Sequence, residues 1–280
     1  MNRWVPVVIL CALAPVVAAA QGGLLATSAA SSIEGGAGGG LSPWAVLTGY
    51  ATRDELGGSA FATHLDTGDY SLTTAGAAVN FRNRVELSAA RQSLDVSVLG
   101  AAVDELEQTV VSAKLKLTGD LVYGPWPQTT LGIQYKDHGQ ADIVTALGAA
   151  EASGTDIYLS STRLILDGLF GRSTLISGTV RATAANQAGL LGFGNAAGDS
   201  RELVFEAALG VFLTREWLLA GEYREKPDQL SFAGEDHWRD VFLAWFPNKT
   251  WSAVAAWVDL GDIAGRPDQE AWYLSVQVSF

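Results

Sequence analysis

The stretch Trp272-Tyr273-Leu274-Ser275-Val276-Gln277-Val278-Ser279-Phe280 closes the sequence, and its alternation decides how the rest is read. Side chains of a strand point to opposite faces in turn, so Trp272, Leu274, Val276, Val278 and Phe280 form an apolar face and Tyr273, Ser275, Gln277 and Ser279 a polar one. Such a strand needs an apolar phase on one side only. A soluble amphipathic strand that ends in Phe would satisfy the same pattern, so the preceding residues must separate the two.

Composition leans toward a membrane. Of the 280 residues, 17% are charged, against about 25% in average soluble domains. At the N-terminus Arg3 precedes an apolar run from Trp4 to Val17 and then Ala18-Ala19-Ala20, the layout of a secretory signal peptide covering residues 1–20. The run is too short for a spanning helix, which takes about 20 residues. Cys11 lies inside the run with Leu10 before it, so it belongs to the discarded peptide and not to a lipid-modified N-terminus. A mature chain of residues 21–280 then has no cysteine, hence no disulfide and no thiol chemistry. Losing Arg3 makes the formal charge of −12 one unit more negative. That balance argues against nucleic acid as a partner, because phosphates reward Lys and Arg. Beyond the signal peptide no apolar run is long enough for a membrane helix, so a spanning chain has to be a closed barrel.

Alternation recurs along the chain. Strands are expected over Ser59 to Asp66, Tyr70 to Phe81, Val85 to Leu94, Gln108 to Thr118, Gln128 to His138 and Asp156 to Leu166. More follow over Ser173 to Thr183, Glu202 to Leu213, Trp217 to Lys226, His237 to Phe246 and Trp251 to Leu260. In Gln108 to Thr118, Lys114 and Lys116 share one face while Thr109, Val111, Ala113, Leu115 and Leu117 share the other. Lys at mid-bilayer on a barrel exterior costs roughly 2–4 kcal/mol, so the lysines face the lumen. Arg91 and Arg163 fall on the apolar parity of their strands, which calls for a bulge or a headgroup-level position. The parity of Trp251 to Leu260 is undecided.

Upstream, Gly22 to Glu34 and Trp44 to Arg53 read as two further strands around the cluster Gly35-Gly36-Ala37-Gly38-Gly39-Gly40, with Trp44 and Tyr50 as interface anchors. A flexible linker is the other reading of that cluster. Short connections (Phe81 to Val85, Leu213 to Trp217, Phe246 to Trp251) alternate with long ones, as periplasmic turns and external loops do in outer-membrane barrels. The count is about fourteen strands in an antiparallel up-and-down transmembrane barrel, or about twelve if Gly22 to Arg53 is a tail or plug.

Two resemblances sharpen this reading. The aromatic last strand resembles the terminal signature that the outer-membrane assembly machinery reads, which makes Trp272 and Phe280 the expected assembly signal. Longer stretches carry the second: Gly22 to Thr27, Gly39-Gly40-Leu41 with Pro43-Trp44, Gly49 to Asp54, Arg84 to Ser88, Gly154 to Leu159, Gly168 to Arg172, Arg181 to Gly194, Glu222-Tyr223-Arg224 with Lys226-Pro227-Asp228, and Ala244 to Lys249. Together they are similar to a group of proteobacterial outer-membrane proteins known as domain of unknown function 3034. That resemblance covers essentially the whole mature chain. It implies a Gram-negative outer-membrane barrel, in contact with lipid and lipopolysaccharide, and brings no substrate or catalytic residue.

Parity places Lys114, Lys116 and Lys136 in one lumen-facing basic stripe and Glu202, Glu206 and Glu222 in an acidic one, with Arg181 and Arg224 beside it. Opposed across water, such stripes would set a transverse field that orients polar solutes; the plainer alternative is charges that pair across a polar interior. The three histidines, His64, His138 and His237, lack the same-face His-x-His or His-x-Glu spacing of a strand metal site, so no metal or cofactor is expected. Asp137-His138 and Asp236-His237 lie at external strand ends, but neighbours on a strand face opposite ways and form no catalytic dyad. No catalytic residue is therefore assigned. The loop Gly189-Leu190-Leu191-Gly192-Phe193-Gly194 is apolar and is expected to turn inward, with Leu190, Leu191 and Phe193 as a constriction. The function these features point to is a passive pore or uptake channel for small solutes. A closed structural or assembly-linked barrel, and a hydrolase active at the rim, are the alternatives.

Overall fold

A computed structural model describes residues 23–99, 103–198, 201–230 and 234–280. The expected signal peptide, with Cys11, lies outside the described residues. Two short strands, β1 (Ala30–Ser31) and β2 (Ala37–Gly38), pair with each other and belong to no larger sheet. Twelve longer strands follow: β3 (Leu56–Asp66), β4 (Ser71–Phe81), β5 (Val85–Asp95), β6 (Glu105–Thr118), β7 (Gln128–His138) and β8 (Ser153–Ile165), then β9 (Thr174–Thr183), β10 (Glu202–Phe212), β11 (Trp217–Arg224), β12 (Trp238–Trp245), β13 (Trp251–Asp259) and β14 (Glu270–Ser279). Each pairs antiparallel with its sequence neighbours, and β14 pairs with β3, so the sheet closes on itself as a barrel.

Closure satisfies every strand edge, which hydrocarbon demands. At the seam Phe280 N–H donates to Gly58 O at 2.9 Å and Gly58 N–H to Phe280 O at 2.8 Å. A Cβ on Gly58 would lie 2.7 Å from Cζ of the Phe280 ring, so glycine there lets the terminal aromatic lie flat across the joint. The turns at residues 82–84, 213–216 and 246–250 share the end of the barrel with Phe280. Short turns mark the periplasmic side of such barrels, and the longer loops at 139–152, 184–201 and 225–237 lie at the outer side. There are exceptions at both ends, a tight outer turn at Thr67 to Tyr70 and longer periplasmic connections at 119–127 and 166–173.

The alternation expected from the sequence appears as two faces. In β14, Trp272, Leu274 and Val276 point outward while Tyr273, Ser275, Gln277 and Ser279 are buried inside. Val111, Leu115, Ile133, Leu159, Ile176, Val180, Leu209 and Val241 continue the outer apolar band. Phe81, Trp217, Trp245, Trp251 and Phe280 cluster at its periplasmic edge, where Trp217 and Trp245 stack with ring centroids 5.6 Å apart. This is an apolar belt with an aromatic girdle, the exterior of an outer-membrane barrel. In β13 the inner residues are Ser252, Val254, Ala256 and Val258.

The structure decides between alternatives at two places. Arg91 and Arg163 do lie outside, but without bulges, since the pairings of their strands run unbroken. Arg91 reaches Glu107 at 2.7 Å on the neighbouring strand, and Arg163 donates to the backbone oxygens of Asp120, Tyr123, Gly124 and Trp126 at the periplasmic edge. A single register shift occurs instead between Lys116 and Thr118.

The larger point concerns the N-terminal region, where the twelve-strand alternative with a plug is the one found. Ser28 to Ala51 is buried inside a twelve-stranded wall, while Arg53 and Asp54 are exposed at its mouth. Trp44 and Tyr50 are not interface anchors, being 2% and 4% exposed within the lumen. The segment lacks the large apolar residues at every second position that a lipid face needs, while its glycines let backbone pack against the wall. Gly23 N–H donates to Tyr50 O at 3.1 Å, so the segment enters and leaves by the same periplasmic mouth.

Candidate functional site

The filled lumen is the site, and the sequence of the plug explains how it fits. On one side β11, β12 and β13 offer Leu218, Ala220, Phe242, Ala244, Val254, Ala256 and Val258, against which Trp44 packs, its ring centroid 6.4 Å from that of Phe242. On the other side β5 to β9 offer amides, hydroxyls and charges to the plug backbone. Gln92 Nε2 donates to Ile33 O at 2.8 Å, Thr162 Oγ1 accepts from Ala45 N at 2.8 Å, and Thr179 Oγ1 donates to Pro43 O at 3.0 Å. Plug backbone that pairs with no strand is thereby satisfied in the interior.

Apart from Glu202, the wall charges found by parity meet this plug or its surroundings. Lys114 Nζ donates to Ala37 O at 2.8 Å and Val46 O at 3.0 Å and lies 3.2 Å from Glu86, whose carboxylate accepts from Ala37 N and Thr48 N. Lys136, Arg181 and Arg224 converge on Glu34, a plug residue the sequence reading did not single out. Glu34 is completely buried, 2.5 Å from Lys136 Nζ, 3.3 Å from Arg181 Nη2 and 2.9 Å from Arg224 Nη2. Burial alone would raise its pKa, but Arg224, Lys136 and Arg181 together outweigh burial and hold it well below its ordinary value of 4.5. Arg181 also binds Glu206 at 2.5 Å and Asp156 at 3.2 Å, and stands over the Tyr158 ring at 5.0 Å.

Glu222 takes a different partner set. It accepts from Gly40 N–H and Leu41 N–H, each at 2.7 Å, from Trp44 Nε1 at 2.9 Å and from the Ser42 hydroxyl. A Cβ on Gly39 would lie 2.2 Å from Glu222 Oε1, so only glycine permits this approach. The two remaining predicted charges sit at the ends. Lys116 is half-buried at the periplasmic mouth, in a cavity of about 220 Å³ lined also by Gly23, Tyr50 and Asn80. Glu202 is exposed at the outer rim, with Gln229 Nε2 3.3 Å away. Opposed stripes facing water are thus not the arrangement: Asp156 stands between Lys136 and Arg181, and the plug fills the space between the walls.

The apolar loop turns inward. Leu190, Leu191 and Phe193 are at most 4% exposed, and the loop is tied down by Lys136 Nζ to Ala188 O at 3.1 Å and His138 Nε2 to Leu190 O at 3.1 Å. Leu190 and Leu191 meet the tip of the plug around a cavity of about 30 Å³ lined by Ile33, Leu41, Leu65 and Trp238. His138 has its other nitrogen occupied by Gln140 N–H at 3.0 Å, and His64 faces outward beside Thr73. Among the described residues no group of His, Cys, Asp and Glu is arranged for a metal ion. No described helix is long and apolar enough to cross a membrane.

Lipid-facing belt, closed twelve-stranded wall and polar interior define an outer-membrane β-barrel of the Gram-negative type. The chain belongs to the family described as Protein of unknown function (DUF3034), which it matches over residues 27–277. Comparison with curated proteins finds no match. Among solved structures it is similar to the KdgM porin in complex with disordered oligogalacturonate, at 12% identity and a TM-score of 0.52 over 79% of this chain and 99% of that one. The NanC porin is similar at 11% identity and a TM-score of 0.50, over 80% and 98%. These likenesses concern the fold.

Proposed function

We propose that the protein is an outer-membrane channel for small polar solutes that rests closed, with residues 23–55 as its plug. The observation that carries this reading is how the plug is held. Hydrogen bonds and ion pairs, such as those of Ala37, Ala45, Ile33 and Glu34, hold it to a wall that water could solvate equally well, so the vacated lumen would be a hydrated passage. A barrel meant to stay shut would be better served by an apolar interior, because replacing buried ion pairs by packed apolar residues is often neutral or stabilising. The porin architecture of the two similar structures supports the same reading. The inward loop with Leu190, Leu191 and Phe193 would form the outer constriction, and Trp272 with Phe280 would serve as the signal for the assembly machinery.

Planar-bilayer recording tests the channel. The intact protein should be silent or show rare steps, and a variant lacking residues 23–51 should conduct steadily. Silence from a folded plug-less variant would favour a closed structural barrel, a reading to which the Trp44–Phe242 packing also lends weight. Deletion of Phe280 should lower membrane insertion, and unchanged insertion would remove its assembly role.

A further inference from the structure

The cations around Glu34 are one carboxylate short without it. Lys136, Arg181 and Arg224 project from the wall with the carboxylates of Asp156 and Glu206. Lys136 is 2.8 Å and Arg181 3.2 Å from Asp156, Arg181 is 2.5 Å from Glu206, and Arg224 Nε is 3.8 Å from Glu206. Three positive charges thus face two negative ones, and the plug supplies the third. Its geometry is that of a ligand: Arg224 grips the Glu34 carboxylate with both terminal nitrogens, Nη2 to Oε1 at 2.9 Å and Nη1 to Oε2 at 3.1 Å. Such a fork recognises planar carboxylates. Once the plug leaves, the wall keeps the fork, and its three cations have lost one of the three carboxylates they bind.

A second pole lies one peptide away. Leu41 O accepts from Arg224 Nη1 at 2.7 Å, while Leu41 N–H donates to Glu222 Oε2 at 2.7 Å. Glu222 and its neighbour Asp240, whose Oδ1 accepts from Glu222 N at 3.0 Å, have no basic side chain within ion-pair distance among the described residues. The plug meets this pole with uncharged N–H and O–H donors alone. Asp156 Oδ1 and Glu206 Oε2 also lack a hydrogen-bond partner and remain open to such donors.

We infer that the plug occupies the place of the solute. The vacated lumen would bind a small hydroxylated carboxylate, its carboxyl group at Lys136, Arg181 and Arg224 and its hydroxyl groups toward Glu222. This rests on the channel reading above and adds the solute class to it.

Glu34→Ala in the full-length protein and deletion of residues 23–51 test the inference by two routes. In detergent, Glu34→Ala should unfold at a lower temperature than the parent, and acetate should restore it where acetamide and methylammonium do not. Acetate without advantage over acetamide would overturn the carboxylate site. In proteoliposomes the protein lacking residues 23–51 should pass gluconate about tenfold faster than sorbitol, the gain a focused field gives in a charged cleft. Adding Arg224→Gln should abolish the difference. Conductance with no preference for gluconate would overturn the solute class and leave the channel standing. Acetate rescue of Glu34→Ala alongside a folded plug-less protein that stays silent would overturn the channel reading, and the transport role with it, while the carboxylate site remained. Glu34→Gln fills the same space without the charge, so it should fold even if Glu34→Ala does not, and it should lose stability that acetate restores only weakly.

Discussion

The two walls of the lumen hold the same plug by different physics. The face built by β12 and β13 grips it with Phe242, Val254 and Val258, and the face built by β5 to β9 with Gln92, Lys114, Lys136, Thr162 and Arg181. Between them β11 carries both kinds of contact, Leu218 beside Glu222 and Arg224. Apolar contact is non-directional and tolerates sliding, whereas charge-assisted hydrogen bonds fix register within a few tenths of an ångström. The apolar wall therefore supplies adhesion and the polar wall supplies position. Water could replace only the second, so the polar wall is also where release would begin.

The largest expected effect comes from the polar wall. Arg181→Ala strips a partner from Glu34, Asp156 and Glu206 at once. Removing one member of a buried ion pair costs about 3–5 kcal/mol, and the three carboxylates affected here place it at the upper end. The loss should appear in the denaturant midpoint in detergent; a midpoint within error of the parent would mean that this wall does not hold the plug. Trp44→Ala on the apolar side leaves a cavity against Phe242 and should cost about 3–4 kcal/mol. It should weaken adhesion without changing the ion selectivity of any open state, and altered selectivity would blur the division between walls. Gly39→Ala should cost about 1–3 kcal/mol through its clash with Glu222, read as faster proteolysis of the N-terminal segment.

Acidity sharpens the comparison further. Because the Glu34 pKa is depressed, its stabilisation is fully present above the unfolded value and is lost only as pH falls through the lower folded value. Bilayer activity should therefore stay flat from neutral pH to 4.5, and plug release within that window would show that another group controls it. The smallest effect belongs outside the lumen. Arg91→Ala breaks an exposed pair with Glu107 and should change stability by about 0–1 kcal/mol.

The wall was legible in the sequence because lipid and lumen impose opposite demands on adjacent residues. Lys114, Lys136, Arg181, Glu206 and Arg224 were placed inside on parity alone, and the structure has each of them buried. The plug was not legible. A row of Ala, Ser and Gly carries no periodic contrast, so Gly23 to Glu34 reads equally well as strand or filler, and Trp44 mimics an interface residue although it packs on Phe242. Glu34 did leave a signal. It is the only ionisable side chain between Gln21 and Thr52 save Tyr50, in a stretch otherwise of small and apolar residues, and such an isolated acid needs a buried partner. Asp156 and Glu86 escaped notice for another reason: strand parity gives a face, and partners along the chain of contacts are fixed only when the plug brings them together.

The bond from Gly23 to Tyr50 has a topological consequence. Both ends of the inserted loop lie at one mouth, so the chain is looped into the cylinder and never threaded through it. No knot forms, and the seam between β14 and β3 need not part for the loop to come or go. The topology of the described residues thus ties closure of the wall to no particular position of the loop, and places no strand in the way of its mouth.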